Sequence, residues 1–177
     1  VAAYMPNIPE TVMAMLGTTA SGGVFTSTSC DFGNAGALDR FSQSKPRVLV
    51  MAGHYQYNGK TFSLLEKCQE LIEGIDSLEK VVVVDFLGLL KEGLDESIFA
   101  SNNISTEHRD KFVLWSELDR FSPAECQNVG ALDFKRVSFA DPLYIMYSSG
   151  TTGKPKCIVH TVGGTLLQHF KELALHT

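Results

Sequence analysis

No apolar run in the sequence approaches the roughly 20 residues that a helix needs to cross a bilayer, so nothing in it reads as a membrane span. Positive charge is not in excess: 15 Lys and Arg stand against 20 Asp and Glu, for a net charge of −5. That removes the electrostatic footprint of a nucleic-acid binder or of a protein drawn to an anionic membrane. Cys30, Cys68, Cys126 and Cys157 are scattered and form no C-x-x-C pair. Such spacing argues against a disulfide framework or a zinc site, and for reduced, mostly buried thiols in a reducing compartment, the cytosol. No G-x-G triplet occurs, so the tight turn of a dinucleotide-binding fold is missing. No G-x-S-x-G occurs either, which removes a serine-hydrolase elbow around Ser148 or Ser149. The opening Val1-Ala2-Ala3-Tyr4-Met5 meets a turn at Pro6-Asn7 and has no signal-peptide character. It lacks an initiator methionine, and the last periodic segment runs to Thr177 without a stop signal. The chain is therefore read as an interior piece of a longer protein, and the sequon Asn103-Ile104-Ser105 as chance.

What is present is concentrated in Tyr147-Ser148-Ser149-Gly150-Thr151-Thr152-Gly153-Lys154-Pro155-Lys156. Hydroxyls, glycines and lysines share one short loop between the apolar runs Leu143-Tyr144-Ile145-Met146 and Cys157-Ile158-Val159. Glycines let backbone N–H groups approach an anion, hydroxyls donate to it, and lysines supply compact positive charge. A hydrogen bond to a charged group contributes about 1.5–3 kcal/mol, so several converging donors hold a polyphosphate. Ser, Thr and Gly also make ordinary linkers, and composition alone would not decide between the two. The loop is not a Walker A motif. Ser148 stands where that motif needs its first glycine, and Pro155 follows the lysine in place of Ser or Thr.

The rest of the chain reads as strands alternating with helices, which predicts an α/β layered fold with a mostly parallel sheet and flanking helices. Strands are expected at Val1–Met5, Val24–Ser27, Arg47–Met51, Val81–Val84, Phe112–Trp115, Leu143–Tyr147 and Lys156–His160. The run of four valines suits a sheet covered on both faces. A helix over 11–20 is expected to bury Val12, Met15, Leu16 and Thr19. A second over 37–44 turns Leu38 and Phe41 inward. A third over 60–75 carries the stripe Leu64, Leu65, Cys68, Leu71, Ile72 and Ile75, with Ser63, Glu66 and Glu73 on its wet face. Residues 86–111 read as a long surface excursion, 116–120 as a short helical turn and 130–140 as irregular. Gly163-Gly164 precedes a final helix over 165–176. His169 and His176 read as surface or structural residues, because no carboxylate or thiolate lies at ligand spacing. His160, after the second strand flanking the loop, is open to facing a bound nucleotide.

Position for position, the loop resembles the phosphate-loop signature of the adenylate-forming (AMP-binding) superfamily, which includes acyl-CoA synthetases, luciferases and peptide-synthetase adenylation domains. The likeness extends to Val1–Glu10, Met13–Leu16, Ser27–Gly33, Leu38–Gln43, Lys156–His160, Gly163–His169 and Lys171-Glu172, and is closest to acyl-CoA synthetases of the acetyl-CoA type. It is weakest over 88–128, and Cys30 stands where proline is expected. The resemblance implies that residues 1–177 are a fragment of the large N-terminal AMP-binding domain, with the phosphate loop at 147–156 and the C-terminal domain absent. It implies ATP, Mg2+ and CoA as reactants or cofactor, and a short-chain acid as the other substrate, acetoacetate ahead of acetate or propionate. Ser148, Ser149, Gly150, Thr151, Thr152, Gly153 and Lys154 would wrap the β- and γ-phosphates. Lys156 would anchor the loop base or touch the phosphate. The adenylation lysine is expected in the absent domain, and no catalytic residue is assigned here. Neither nucleic acid nor membrane is an expected partner.

Overall fold

The structure, a computed structural model, describes residues 1–118, 133–149 and 153–176. Its frame is a seven-stranded sheet in the order β7-β6-β3-β1-β2-β8-β9. The strands are β1 (Ala2–Tyr4), β2 (Phe25–Thr28), β3 (Val48–Ala52), β6 (Lys80–Val84), β7 (Phe112–Leu114), β8 (Pro142–Ser148) and β9 (Lys156–Thr161). All neighbours pair in parallel except β8 with β9. A separate antiparallel pair, β4 (His54–Tyr57) and β5 (Lys60–Ser63), follows β3. The helices are α1 (Pro9–Ala20), α2 (Asn34–Ser44), α3 (Cys68–Gly74), α4 (Glu96–Ser101), α5 (Trp115–Leu118) and α6 (Val162–Leu175).

The apolar strands explain this order. Parallel strands in the middle of a sheet are covered on both faces and need side chains without polar atoms. Ala2, Ala3 and Tyr4 of β1 are wholly buried, as are Leu49 and Met51 of β3 and Val81 and Val83 of β6. β3 and β6 pair over their full length, from Val48 with Lys80 to Ala52 with Val84. Phe41 of α2 is also fully buried and meets Tyr4 edge-on, ring centroids 6.5 Å apart.

Four expectations change. α1 starts on Pro9 and carries Glu10 in its first turn, as its sequence requires. Its buried residues, however, are Ala14 and Thr18, whereas Val12, Met13 and Leu16 are more than half exposed. The helix rests on these small residues together with Met15, which is half-buried and packs against the core, while Thr19 is also half-buried; Thr18 Oγ1 donates to Ala14 O at 2.6 Å to satisfy its hydroxyl. Periodicity identified an amphipathic helix but not which face other elements cover.

The expected helix over 60–75 splits. Lys60–Ser63 is strand β5, a 3-10 turn occupies Leu65–Lys67, and α3 begins only at Cys68. Asn58 and Gly59 have φ of +48° and +73°, the left-handed pair that a two-residue hairpin turn requires. Tyr57 then faces Lys60, and His54 faces Ser63. The apolar stripe survives this change: Leu64, Leu65, Cys68, Leu71, Ile72 and Ile75 are all buried. Asn58-Gly59 was the overlooked signal.

The excursion over 86–111 is partly built. Asp95 caps α4 by accepting from Ile98 N at 2.9 Å, and hydrogen bonds from the Ser97 hydroxyl and from backbone N–H groups hold its carboxyl below the usual range. Phe99 and Ile104 are buried, and Phe99 packs against Phe112 at 5.3 Å. The last helix begins at Val162 rather than Thr165. Thr161 is its N-cap, accepting from Gly164 N at 3.1 Å. Gly163 lies inside the first turn because a Cβ there would stand 2.1 Å from the Phe139 ring.

Truncating the fully buried Phe41 to alanine is expected to cost about 3–5 kcal/mol, from lost transfer energy and the cavity left between α2 and β1. Denaturant unfolding should show a lower midpoint with an unchanged slope. A loss under about 1 kcal/mol would mean that α2 does not depend on this contact.

Candidate functional site

β8 and β9 form the hairpin that carries the loop. Tyr147 faces Cys157 and Ser148 faces Lys156, the last pair before the chain leaves the ladder. β8 runs parallel to β2, so the loop emerges at the carboxyl edge of the parallel strands. In open α/β sheets that edge is where ligands bind. Of the sequence-predicted site residues, Ser148 ends β8 half-buried, while Ser149, Gly153, Lys154 and Lys156 are exposed. Gly150, Thr151 and Thr152 lie outside the described residues. Gly153 has φ +97°, a conformation that a side chain rarely adopts, although space for one exists. Glycine is thus needed at this position for its backbone.

The base of the loop is tied to the sheet and to α2. Tyr147 Oη accepts from Thr26 Oγ1 at 3.0 Å and lies 3.2 Å from Arg40 O and 3.3 Å from Ser44 Oγ, either of which can take its proton. Gln43 Nε2 donates to Pro155 O at 3.1 Å. Sequence reasoning assigned no role to Arg40, Gln43 or Ser44. They share one helical face at i, i+3 and i+4, but that spacing does not name a partner more than 100 residues away.

His160 does not join the loop. It lies four residues along β9 from Lys156, about 13 Å away at roughly 3.3 Å per residue, and its ring packs on Tyr144 at 5.2 Å. His169 and His176 are exposed on and just after α6.

Further along the same carboxyl edge, the turns after β1 and β2 and the β4–β5 hairpin enclose a pocket of about 290 Å3. Thr28, Cys30, Asp31, Tyr55 and Tyr57 contribute to its walls. Thr28 Oγ1 is buried there without a protein partner. Tyr4 lies beneath; its hydroxyl donates to Phe32 O and accepts from Lys67 Nζ at 3.2 Å. Burial, helped by Cys30, Tyr55 and Asp31, pushes the Tyr4 phenol up. Burial, then Asp31, pushes the Cys30 thiol up to about 12. Both groups are neutral at physiological pH, so this floor offers hydrogen bonds and no nucleophile.

Hydroxyls, lysines and a left-handed glycine on a hairpin loop at the carboxyl edge of a parallel sheet are the equipment of a nucleotide-phosphate site. The family described as AMP-binding enzyme matches residues 1–175, and the chain belongs to that family. Its relatives include the acetoacetyl-CoA synthetases of Xenopus tropicalis, 43% identical, and Rhizobium meliloti, 39% identical, each aligned over 99% of this chain. The solved structure of acetoacetyl-CoA synthetase from Streptomyces lividans superimposes with a TM-score of 0.79 at 37% identity, over 99% of this chain. The chain spans about a quarter of the length of these relatives, 24% in each case.

The thiols should report this geometry. Cys30 and Cys68 are buried, and burial raises both; Cys157 is half-buried and raised less by the same cause. A raised thiol pKa lowers the reactive thiolate fraction, so alkylation should accelerate as pH rises from 7 to 9. Iodoacetamide followed by peptide mass spectrometry should find Cys157 modified well before Cys30 or Cys68. Equal rates would contradict the packing of β1 and α3.

Proposed function

We propose that the protein works as part of an ATP-dependent acid–CoA ligase that converts acetoacetate to acetoacetyl-CoA, with AMP and diphosphate as the other products. The carrying observation is the loop from Ser148 to Lys156, closed by the β8–β9 hairpin at the carboxyl edge of the sheet. Relatives near 40% identity that are named for this reaction support it. In the proposed first half-reaction, a carboxylate oxygen attacks the α-phosphorus of ATP and diphosphate leaves. In the second, the CoA sulfur attacks the acyl carbon, its proton is lost and AMP leaves.

Residues 1–177 would supply part of an N-terminal AMP-binding domain, and 147–156 its phosphate loop. Ser148, Ser149, Thr151 and Thr152 would donate hydroxyl hydrogen bonds to the β- and γ-phosphates. Gly150 and Gly153 would offer backbone N–H groups. Lys154 would place positive charge against the leaving diphosphate, and Lys156 would anchor the loop base or reach the phosphate. Such donors accelerate reaction by meeting charge that grows on the leaving group, with little reorganisation. Mg2+ would enter as the counter-ion of ATP, and the hard hydroxyl oxygens here are compatible with it. The enzyme would act in the cytosol, in the use of ketone bodies as a source of acyl groups for lipid and fatty acid metabolism.

Replacing Thr151 and Thr152 together by alanine in the full-length protein should cut acid-dependent exchange of pyrophosphate into ATP. Loss of one such donor commonly costs about 3–4 kcal/mol in the transition state. Thioester formation from a supplied acyl-adenylate should fall far less. Equal losses in both half-reactions would remove the assigned role.

Acid choice should be steep. A site built to hydrogen-bond the second carbonyl of acetoacetate rejects an acid lacking it by a large factor, whereas a methylene in an apolar pocket is worth only about 1–3 kcal/mol. AMP formation by the full-length protein, with CoA and matched acetoacetate, acetate, propionate and butyrate, measures this. A kcat/KM for acetate at or above that for acetoacetate would transfer the assignment to an acetyl- or propionyl-type synthetase.

A further inference from the structure

The ten-residue loop signature begins and ends in a ladder that stops at Ser148 and Lys156. One facing pair and one loop residue matter at that point. Tyr147 and Cys157 face one another one step before the end, and Pro155 is the last loop residue before β9. Helix α2 grips both limbs here with a single face. On the incoming limb, Tyr147 Oη meets Arg40 O and Ser44 Oγ, and the Arg40 guanidinium stands 5.7 Å from the Tyr147 ring centre. On the outgoing limb, Gln43 uses both ends of its amide. Nε2 donates to Pro155 O at 3.1 Å, and Oε1 accepts from Cys157 Sγ at 3.6 Å. The second Nε2 hydrogen is directed to Asp39 O in the helix itself, which holds the side chain in place.

We propose that Gln43 is a positioning residue for the phosphate loop: its amide pins the lysine-bearing limb to α2, opposite the Tyr147 tether, and so presets where Lys154 and Lys156 meet the phosphates of ATP. The proposal rests on the ligase reading of the loop. Gln43 does not reach the phosphates; it acts through Pro155 and Cys157. A donor is essential for this task because the partner on Pro155 is a carbonyl. The thiol of Cys157 can donate to a carboxylate as well as to an amide oxygen, so Gln43→Glu keeps that contact while removing the amide's donation to Pro155 O and to Asp39 O. Pro155 has no N–H of its own, so its carbonyl is its only backbone hydrogen-bonding group. Bonds this exposed are individually modest, so a loosened loop should show as weakened ATP binding rather than as lost chemistry.

The test uses full-length protein with Gln43→Glu, Gln43→Ala, Tyr147→Phe and the Gln43→Ala/Tyr147→Phe pair. Each Gln43 variant should raise KM for ATP about three- to tenfold, with kcat within about twofold and KM for the acid unchanged. Because the two tethers hold the same ladder end, the pair should raise KM for ATP by less than the product of the single effects. Without ATP, iodoacetamide should label Cys157 several-fold faster in Gln43→Ala than in the native protein, with an unchanged melting temperature. An unchanged KM for ATP overturns the positioning role whatever the labelling shows. An equal rise in KM for ATP and acid overturns it too, as general loosening. If the native protein shows no acid-dependent pyrophosphate exchange, the ligase reading fails. The labelling ratio then still decides on its own whether the amide holds the β9 limb, and equal rates would overturn that part.

Discussion

Burial of three adjacent parallel strands, β1, β3 and β6, on both faces is the constraint from which the remaining architecture follows. Parallel pairing satisfies the backbone only when each strand has a neighbour on either side and every connection crosses back over a face. Helices α1, α2 and α3 are such connections. Their covering of the valine, leucine and alanine side chains leaves the carboxyl ends of the strands as the open edge. Turns after β1 and β2, the β4–β5 hairpin and the loop after β8 all emerge there. The site therefore owes its location to topology, and its chemistry to a few residues in the turns.

The interior and this edge divide the polar work. In the middle of the sheet, wholly buried side chains such as Leu49, Met51, Val81 and Val83 carry no polar atom that needs a partner. At the edge, polar atoms are either paired tightly, as Tyr4 with Phe32 O and Lys67, or left without a protein partner, as Thr28 Oγ1. An unpaired hydroxyl in a pocket wall is an unmet hydrogen bond that a ligand can complete. Neutral Tyr4 and Cys30 add no charge that would oppose an anionic substrate. The positive charge of Lys154 and Lys156 stands on the exposed loop, where hydration keeps it inexpensive.

Much of this was legible in residue order. Four consecutive valines fixed β6, because few other structures tolerate so many β-branched side chains. The loop was legible because its order of hydroxyls, glycines and lysine matches a family signature as well as a physical need. Errors arose where a local pattern has two physical solutions. Lys60 to Ile75 carries a helical stripe, yet the Asn58-Gly59 turn commits its first residues to a strand, and the stripe is shared between a 3-10 turn and α3. In α1 the apolar residues and the small residues occupy different faces, and only tertiary contact reveals that the small face is buried. The brace from α2 to the loop was not legible at all. It joins residues more than 100 positions apart through side-chain hydrogen bonds, for which sequence periodicity carries no signal.

Within residues 1–177 coverage of the sheet is uneven. From β7 to β1 the strands are dominated by buried side chains, whereas Met146, Ile158 and Val159 at the β8–β9 end are about half exposed. Leu166, Leu167, Phe170 and Leu173 of α6 are more exposed still. A phosphate loop must meet two demands: preset donors for charge developing on the leaving group, and freedom to admit and release nucleotide. With its two limbs tied by side-chain hydrogen bonds to one helix, the loop from Ser148 to Lys156 has a defined base. On the proposed ligase reading, the α2 tethers, rather than the hydrophobic core, would set how well the donors are organised before ATP arrives.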